Sequence, residues 1–444
     1  MPIAPARIAA FDILLRVEQT GAFASELLHS SGYSQLTSAD HGLATELVMG
    51  VLRWRSLLDQ KLATASSLAI DKLDLEVFTA LRLAAYQLQF LQRVPGHAAV
   101  NDSVELVKRA RKRSAAAFVN AVSRKLGPTS DSNQTPLQMK TETAEELSSR
   151  LAHPFWLVDR WVRESGLESA RKICTYDQEL PQAAIRLDAN STEAELRADG
   201  VELGPGRLLS GARRVVAGNI SKTRAFRGGK IAIQDEASQL VALLVGKGKN
   251  ILDCCAAPGG KTRIMAAQNP HSAVLALELH PQRAALLRKL VPATNVNVTT
   301  TDARDFAVTK AFDRVLADVP CSGTGTLSRN PEIKWRLIPE DLSDLQARQL
   351  EILRSAMKHV APRGRLIYST CSLEREENSE VMEKALAENS GFRLCNSQEE
   401  LERLKAQGEL VWSDLDSMIS GPYLRTLPGV HPCDGFFAAL LERR

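Results

Sequence analysis

The sequence predicts three parts: an all-α N-terminal domain over residues 1–127, a small α+β subdomain over 144–230, and an α/β domain over 231–444 in which strands alternate with helices. Three observations carry this reading. Apolar residues recur at spacings of three and four from Ala6 to about Leu126, a polar stretch punctuated by proline fills 128–143, and after Gly229 short apolar runs alternate with helix-length segments.

In LATELVMGVLRW, the residues Leu43, Leu47, Val48, Val51 and Leu52 share one helical face, and strand alternation is hardly visible before Leu126. The opening MPIAPARIAAFDILLRVEQT reads as an amphipathic helix without a signal peptide's cleavage pattern. No run approaches the roughly 18 apolar residues that a membrane span requires. No membrane partner and a cytoplasmic location are therefore expected. The first 127 residues hold 15 Lys and Arg against 11 Asp and Glu, so this portion carries the whole net charge of +4. The run Lys108-Arg109-Ala110-Arg111-Lys112-Arg113, with Arg124 and Lys125 behind it, predicts phosphate contacts whose strength falls with salt; the alternative is a solvated helix face.

The segment PTSDSNQTPLQMKTET at 128–143 has the composition of a linker. From 144 to about 230, helices (around Trp156 to Glu164), short strands (around Ala184 to Leu187) and glycine-rich turns mix, and no motif there names a chemistry.

Beyond Gly229 the strand candidates are NILDCC, AVLALEL, NVNVTTTD, FDRVLADVP and RLIYSTC, with a long helix from Leu342 to His359. Repeated strand and helix units imply a mostly parallel sheet with helices on both faces, whose ligands bind at the carboxyl ends of the strands. Those ends hold the distinctive residues: Asp253 to Gly260, Glu278, Asp302, Asp318 to Cys321, and Cys371. Five separate segments point to one crevice.

The loop Ala256-Ala257-Pro258-Gly259-Gly260-Lys261-Thr262 invites a phosphate-loop reading, but that motif needs glycine where Cys255 stands. The glycines still allow close approach of a ligand, and Glu278, 18 residues beyond Gly260, is near the spacing at which a carboxylate grips ribose hydroxyls. An adenosine-bearing cofactor fits both features; a purely structural turn and strand end is the alternative. Seven cysteines without a C-x-x-C pair fit neither a disulfide framework nor a zinc site, and no metal is expected. Cys321 and Cys371, at strand ends beside an acid and glycines, are candidates for chemistry. Cys174, Cys254, Cys255, Cys395 and Cys433 lack such a setting and read as packing residues.

At these residues the chain resembles the RNA cytosine-5 methyltransferases of the Sun (Fmu) type, in particular the bacterial 16S ribosomal RNA members that carry a NusB-like helical domain in front. The resemblance rests on ILDCCAAPGGKT at 251–262, DVPCSGTGTLSRNPEIKW at 318–335 and GRLIYSTCSLEREEN at 364–378, supported by IQDEASQL at 233–240 and HPCDGFFAALLE at 431–442. The stretch RLAAYQLQFLQRVPGHAAVNDSVELVKRA, followed by FVNAVSRKL, resembles the NusB-like domain.

The resemblance implies a Rossmann-like S-adenosylmethionine-dependent methyltransferase domain at 231–444 and RNA-binding roles for 1–127 and 144–230. The substrate it implies is 16S ribosomal RNA outside the mature ribosome. It assigns Cys255, Ala256, Ala257, Pro258, Gly259, Gly260 and Lys261 to the cofactor's methionine and adenosine portions, Glu278 to its ribose and Asp302 to its adenine region. Asp318 would serve both the cofactor pocket and the target base, with Cys371 as nucleophile and Cys321 as second thiol. Two departures are visible: Glu278 stands where Asp is commoner, and Arg186-Leu187-Asp188 stands where Arg-x-Asn is usual.

The chemistry explains why such residues are needed. Carbon 5 of cytosine is a weak nucleophile until a thiolate adds at carbon 6 and turns the ring into an enamine. The base must be reached on both faces, so single-stranded or loop RNA is the cheaper substrate. Three other readings share parts of the pattern: a non-catalytic RNA-binding assembly factor, a DNA cytosine methyltransferase acting through the Pro-Cys thiol, and a transfer-RNA cytosine-5 methyltransferase.

Overall fold

The computed structural model describes residues 3–126, 142–187 and 190–444. Apart from Glu142 and Thr143, the expected linker lies outside the described residues, as does Asp188. The chain divides into two compact units, Met1–Leu180 with Leu327–Arg336, and Pro181–Thr326 with Leu337–Arg444. The division therefore falls beyond the expected start of the α+β subdomain at 144. Its reason is the burial of Leu147, Leu157, Val158, Trp161 and Ile173 on helices Ala144–Arg150 and Phe155–Gln178, the first of which packs against helix Arg55–Ala65.

The first unit is helical, as its periodicity predicts. Helices Pro5–Thr20, Ser38–Arg53, Leu75–Phe90 and Gly96–Arg109 bury a common core that includes Phe11, Ile13, Leu47, Leu81, Leu83 and Leu106. The basic run is not one helical face. Helix Gly96–Arg109 ends within it, after Lys108 and Arg109, with Arg111 in the left-handed region (φ 63°) and Lys112 N–H donating to the Val107 carbonyl at 2.9 Å, a Schellman-type cap. Three of its cations are paired: Lys108 with Glu105 at 2.7 Å, Arg109 with Asp12 at 2.7 Å and Lys112 with Asp74 at 3.0 Å.

The segment Leu327–Arg336 serves this helical unit through its polar atoms. The last carbonyls of helix Ser38–Arg53 have no partner within the helix. Trp335 Nε1 donates to the Leu52 carbonyl at 2.6 Å, and the buried Lys334 Nζ donates to the carbonyls of Arg53 and Ala152, both at 2.9 Å. Glu332 Oε1 accepts from the backbone N–H of Ala24 at 2.8 Å, at the start of helix Ala24–Leu28.

The second unit contains two sheets. The smaller is antiparallel, with β1 (Ala184–Arg186), β2 (Glu202–Pro205), β3 (Ala212–Ala217) and β4 (Ala232–Ile233) in the order β2-β3-β1-β4. The larger is a nine-stranded mixed sheet. Its parallel part comprises β5 (Asn250–Asp253), β6 (Ala273–Glu278), β7 (Val296–Thr300), β8 (Phe312–Asp318) and β9 (Val360–Thr370), ordered β9-β8-β5-β6-β7. Strand order reverses about β5, which places a crevice at the carboxyl ends of β5 and β8.

Beyond the expected parallel core stand four further strands, β10 (Phe392–Leu394), β11 (Ile419–Ser420), β12 (Tyr423–Thr426) and β13 (Phe436–Arg443), with β13 antiparallel to β9. Both faces of the sheet are covered. Along β13, Ala438 and Leu440 enter one core while Phe437, Ala439 and Leu441 enter the other, and β5, β8 and β9 alternate in the same way. Burial on both faces is why these strands read as continuous apolar runs.

Candidate active site

Because β5 to β9 run parallel, their carboxyl ends lie along one edge, and the sequence-predicted residues gather there. The loop after β5 is pinned to the neighbouring strands: Cys254 N–H donates to the Leu316 carbonyl and Ala256 N–H to the Leu277 carbonyl, both at 2.9 Å. Gly259 holds φ 114° just before helix Gly260–Gln268, a backbone angle that an L side chain rarely takes, so glycine is required at that turn. Gly260 faces protein, since a Cβ there would stand 2.9 Å from the side chain of Gln234.

Two cavities meet at this edge. One, of about 330 Å³, is lined by Ile231, Gln234, Pro258, Gly260, Lys261 and Asp318; the other, of about 480 Å³, by Glu278, Asp302, Pro320, Cys321, Arg348 and Cys371. Cys255, Ala257 and Asp318 border both. Cys255, half-buried, packs against the core as a residue without a catalytic setting would and also borders the cavities, while Cys254, Cys174 and Cys433 are buried. Burial pushes the thiols of Cys254 and Cys255 away from ionisation.

At the meeting point Lys261 Nζ lies 2.7 Å from Asp318 Oδ2, while Ser369 Oγ donates to Asp318 Oδ1 at 2.7 Å. Burial works against the ammonium charge, but Asp318 outweighs it and raises the Lys261 pKa. Behind them Asp253 accepts a 2.7 Å bond from Thr262 Oγ1 on Oδ2, while its buried Oδ1 has no hydrogen-bond partner among the described residues. Burial pushes this carboxyl up to about 7, with the nearby Asp318 charge adding to the effect.

The two thiols touch. Cys321 Sγ and Cys371 Sγ are 3.2 Å apart, and Cys371 N–H points at Cys321 Sγ at 3.3 Å. The contact with Cys371, followed by burial, holds Cys321 protonated. Backbone bonds set this approach: Val319 N–H donates to the Ser369 carbonyl at 3.0 Å and Gly325 N–H to the Cys371 carbonyl at 2.9 Å. Sequence reasoning missed a further residue beneath the thiols, Glu377, which bonds both Ser322 and Ser372. The repeated Cys-Ser pair was its only sequence signal.

Around the larger cavity, Glu278 Oε1 accepts from His280 N–H at 2.9 Å, and Oε2 has no partner among the described residues. Asp302 is held by Arg304 at 2.7 Å, whose hydrogen bonds lower the Asp302 pKa. Arg186, in the region where substrate contacts were expected, pairs with Glu409 at 3.0 Å. Among the described residues no group of three His, Cys, Asp or Glu is placed to hold a metal ion, and no helix is long and apolar enough to cross a membrane.

A reversing parallel sheet, a glycine turn after its first strand, carboxylates at the next strand ends and an antiparallel return strand define a Rossmann-like S-adenosylmethionine-dependent methyltransferase. Comparison with known proteins narrows the class. A model of the family "16S rRNA methyltransferase RsmB/F" matches residues 240–442, and a NusB family model matches residues 4–127. The probable ribosomal RNA small subunit methyltransferase B of Bacillus subtilis is 32% identical over 99% of this chain and 98% of its own. The ribosomal RNA small subunit methyltransferase B of Pseudomonas syringae is 30% identical over 82% of this chain and 84% of its own. The chain belongs to the RsmB/F family.

Solved structures agree on the fold. PH0851 superposes with a TM-score of 0.80 at 23% identity, covering 100% of both chains. NSun6 from Pyrococcus horikoshii gives 0.54 at 18% identity, covering 64% of this chain and 97% of its own. The cofactor of the family is S-adenosylmethionine, and the residues present fit it. The larger cavity has the size of a small-molecule site, and Glu278 Oε2 is an unused acceptor for ribose hydroxyls.

Proposed function

We propose that this protein methylates carbon 5 of a cytosine in 16S ribosomal RNA through a transient covalent bond between Cys371 and carbon 6. The observation that carries this reading is the pair of touching thiols, 3.2 Å apart, on a cavity they share with Asp318. One sulfur can attack while the other stands beside the bond that must later break.

In this reading Glu278, Asp302 and the Cys255–Lys261 loop hold the cofactor, and S-adenosylmethionine when bound supplies the electrophilic methyl group. Cys371 Sγ, as thiolate, adds to carbon 6 and displaces the ring's π electrons toward carbon 5. Asp318 accepts from the exocyclic amine and a protonated ring nitrogen 3. Its two oxygens are already steadied by Lys261 and Ser369, yet a carboxylate offers about four acceptor positions, so two remain for the base. Lys261 keeps Asp318 charged and oriented. After transfer the carbon 5 proton passes to water, the ring double bond re-forms, and Cys371 leaves as thiolate beside the protonated Cys321. The N-terminal unit and the small sheet would supply RNA contacts, and the enzyme would act in the cytoplasm.

The test pairs two variants with a 16S ribosomal RNA transcript on a denaturing gel. Cys371→Ala should abolish methylation and give no protein–RNA linkage. Cys321→Ala should still attack and transfer but accumulate the linked species. The reverse pattern would make Cys321 the nucleophile, and absence of linkage in both would leave the covalent step unsupported. Bisulfite mapping of ribosomal RNA from cells with and without the gene tests the substrate.

A further inference from the structure

We infer that Glu377 is a positioning residue that, together with the backbone bonds between the two loops, fixes the separation of Cys321 and Cys371, and that through this separation it governs release of the covalent adduct. The inference rests on the roles given to the thiols above.

Each thiol is followed in the chain by a serine, and the structure uses both. Glu377 is fully buried. Its Oε2 accepts from the hydroxyls of Ser322 and Ser372, while Oε1 accepts from Ser322 N–H and from Gln349 Nε2, both at 2.8 Å. Gln349 Nε2 also donates to the Pro320 carbonyl at 3.0 Å, so the residues on either side of Cys321 are bound to one Glu-Gln pair. The loop after β8 and the end of β9 are thus joined through one carboxylate. Tyr368 OH, donating to the Glu377 carbonyl at 2.6 Å, anchors that residue to β9 itself.

A buried carboxylate that receives four hydrogen bonds has little freedom to move, and charge-assisted bonds are roughly twice as strong as neutral ones. Removing it takes the shared carboxylate acceptor from the Ser322 and Ser372 hydroxyls, and the loops around the thiols keep the Ser322–Ser372 hydroxyl bond at 3.0 Å and the Val319 and Gly325 backbone bonds but lose their buried anchor. The thiol contact is sensitive to this, because at 3.2 Å a displacement of about 1 Å ends it.

Attack and release depend on the contact differently. Attack requires the Cys371 sulfur and a base held by Asp318, neither of which touches Glu377. Release breaks the carbon 6 to sulfur bond: the pair from the lost carbon 5 proton re-forms the ring double bond, the proton goes to water, and the departing thiolate is received by the Cys321 S–H. The Glu377 charge, a smaller effect than the Cys371 contact, burial and the Cys371 charge, also favours a protonated Cys321.

Glu377→Ala should therefore resemble Cys321→Ala and not Cys371→Ala. With the full-length protein, S-adenosylmethionine and a 16S ribosomal RNA transcript, the expected result is linked protein–RNA on a denaturing gel and multiple turnover lowered at least about tenfold. Methyl transfer in a single turnover should change less than about threefold. Glu377→Gln retains the acceptor for Ser322 N–H and Gln349 and should recover most of the turnover.

Should Glu377→Ala fail to fold, as judged by lost cofactor binding, the double variant Ser322→Ala, Ser372→Ala removes both hydroxyl ties and should accumulate the same linkage. Linkage in Cys321→Ala but in neither of these would overturn the role of Glu377. No linkage in Cys321→Ala itself would instead overturn the assignment of the thiols on which the inference rests.

Discussion

Lys261 Nζ and Asp318 Oδ2, 2.7 Å apart, tie the helix after the glycine loop to the end of β8 where the two cavities meet. Asp253 lies close enough that the Asp318 charge reinforces its raised pKa, and the Lys261 charge offsets part of that effect. Lys261→Met should lower single-turnover methyl transfer at least about a hundredfold, because Asp318 loses both orientation and a fixed charge. Breaking a fully buried pair costs about 3–5 kcal/mol. The side chains here keep 14% and 23% of their exposure, so a loss of about 1–3 kcal/mol in urea unfolding is expected. Unchanged methyl transfer in this variant would remove Lys261 from the mechanism.

A second prediction concerns backbone contact. Gly435 N–H donates to the Gly325 carbonyl at 2.8 Å, and a Cβ on Gly325 would stand 2.2 Å from the Gly435 carbonyl oxygen. Neither partner is a flexible side-chain end, so the chain itself must move. Gly325→Ala should cost about 2 kcal/mol or more, as over-packing does, and displace the loop that carries Cys321. Thermal unfolding and a turnover assay test this. Wild-type stability with wild-type turnover would show that the crossing tolerates a methyl group.

The parallel core was legible because strands buried on both faces leave long apolar runs, and the candidate site residues could be picked out because binding residues in such sheets concentrate at strand ends. What escaped depended on partners distant in the chain. The run Phe436 to Leu441 signals a strand, but its antiparallel direction follows from pairing with β9, where Phe437 faces Thr370. Glu377 sits in the acidic stretch Glu374 to Glu377, and it is Ser322, Gln349 and Ser372 that make it a buried acceptor. Lys334 and Trp335 belong to a motif otherwise read as catalytic, yet their polar atoms cap helix Ser38–Arg53. Conversely, the basic run suggested one face until Asp12 and Asp74, remote in sequence, were seen to pair with two of its five cations, Arg109 and Lys112.

Asp253 yields a prediction in pH. Its carboxyl, pushed up to about 7 by burial, binds a proton more tightly folded than unfolded. Its contribution to stability is then complete below about pH 4 and is lost as pH rises through about 7. Asp253→Asn keeps an acceptor for Thr262 and carries no charge. Relative to this variant the wild type should lose on the order of 2–4 kcal/mol between pH 4 and pH 9. Denaturant midpoints at several pH values measure it; parallel curves for the two proteins would mean that Asp253 ionises freely in the folded state.

The last prediction divides the basic run by what each cation already touches. Lys108, Arg109 and Lys112 have carboxylate partners within 3.0 Å, so binding a phosphate would return part of its gain to the broken pair. Arg111 and Arg113 are exposed and form no ion pair among the described residues. If this region contacts RNA, those two arginines should carry the counterion release. Each phosphate neutralised contributes about 0.7 to the slope of log K against log salt for single strands, so replacing both with glutamine should flatten the slope by about 1–1.5. Replacing Lys112 alone should change it far less, and cofactor affinity should stay constant throughout. A slope indifferent to Arg111 and Arg113 would leave the run as a solvated turn and move the search for RNA contacts to the rest of the helical unit and the small sheet.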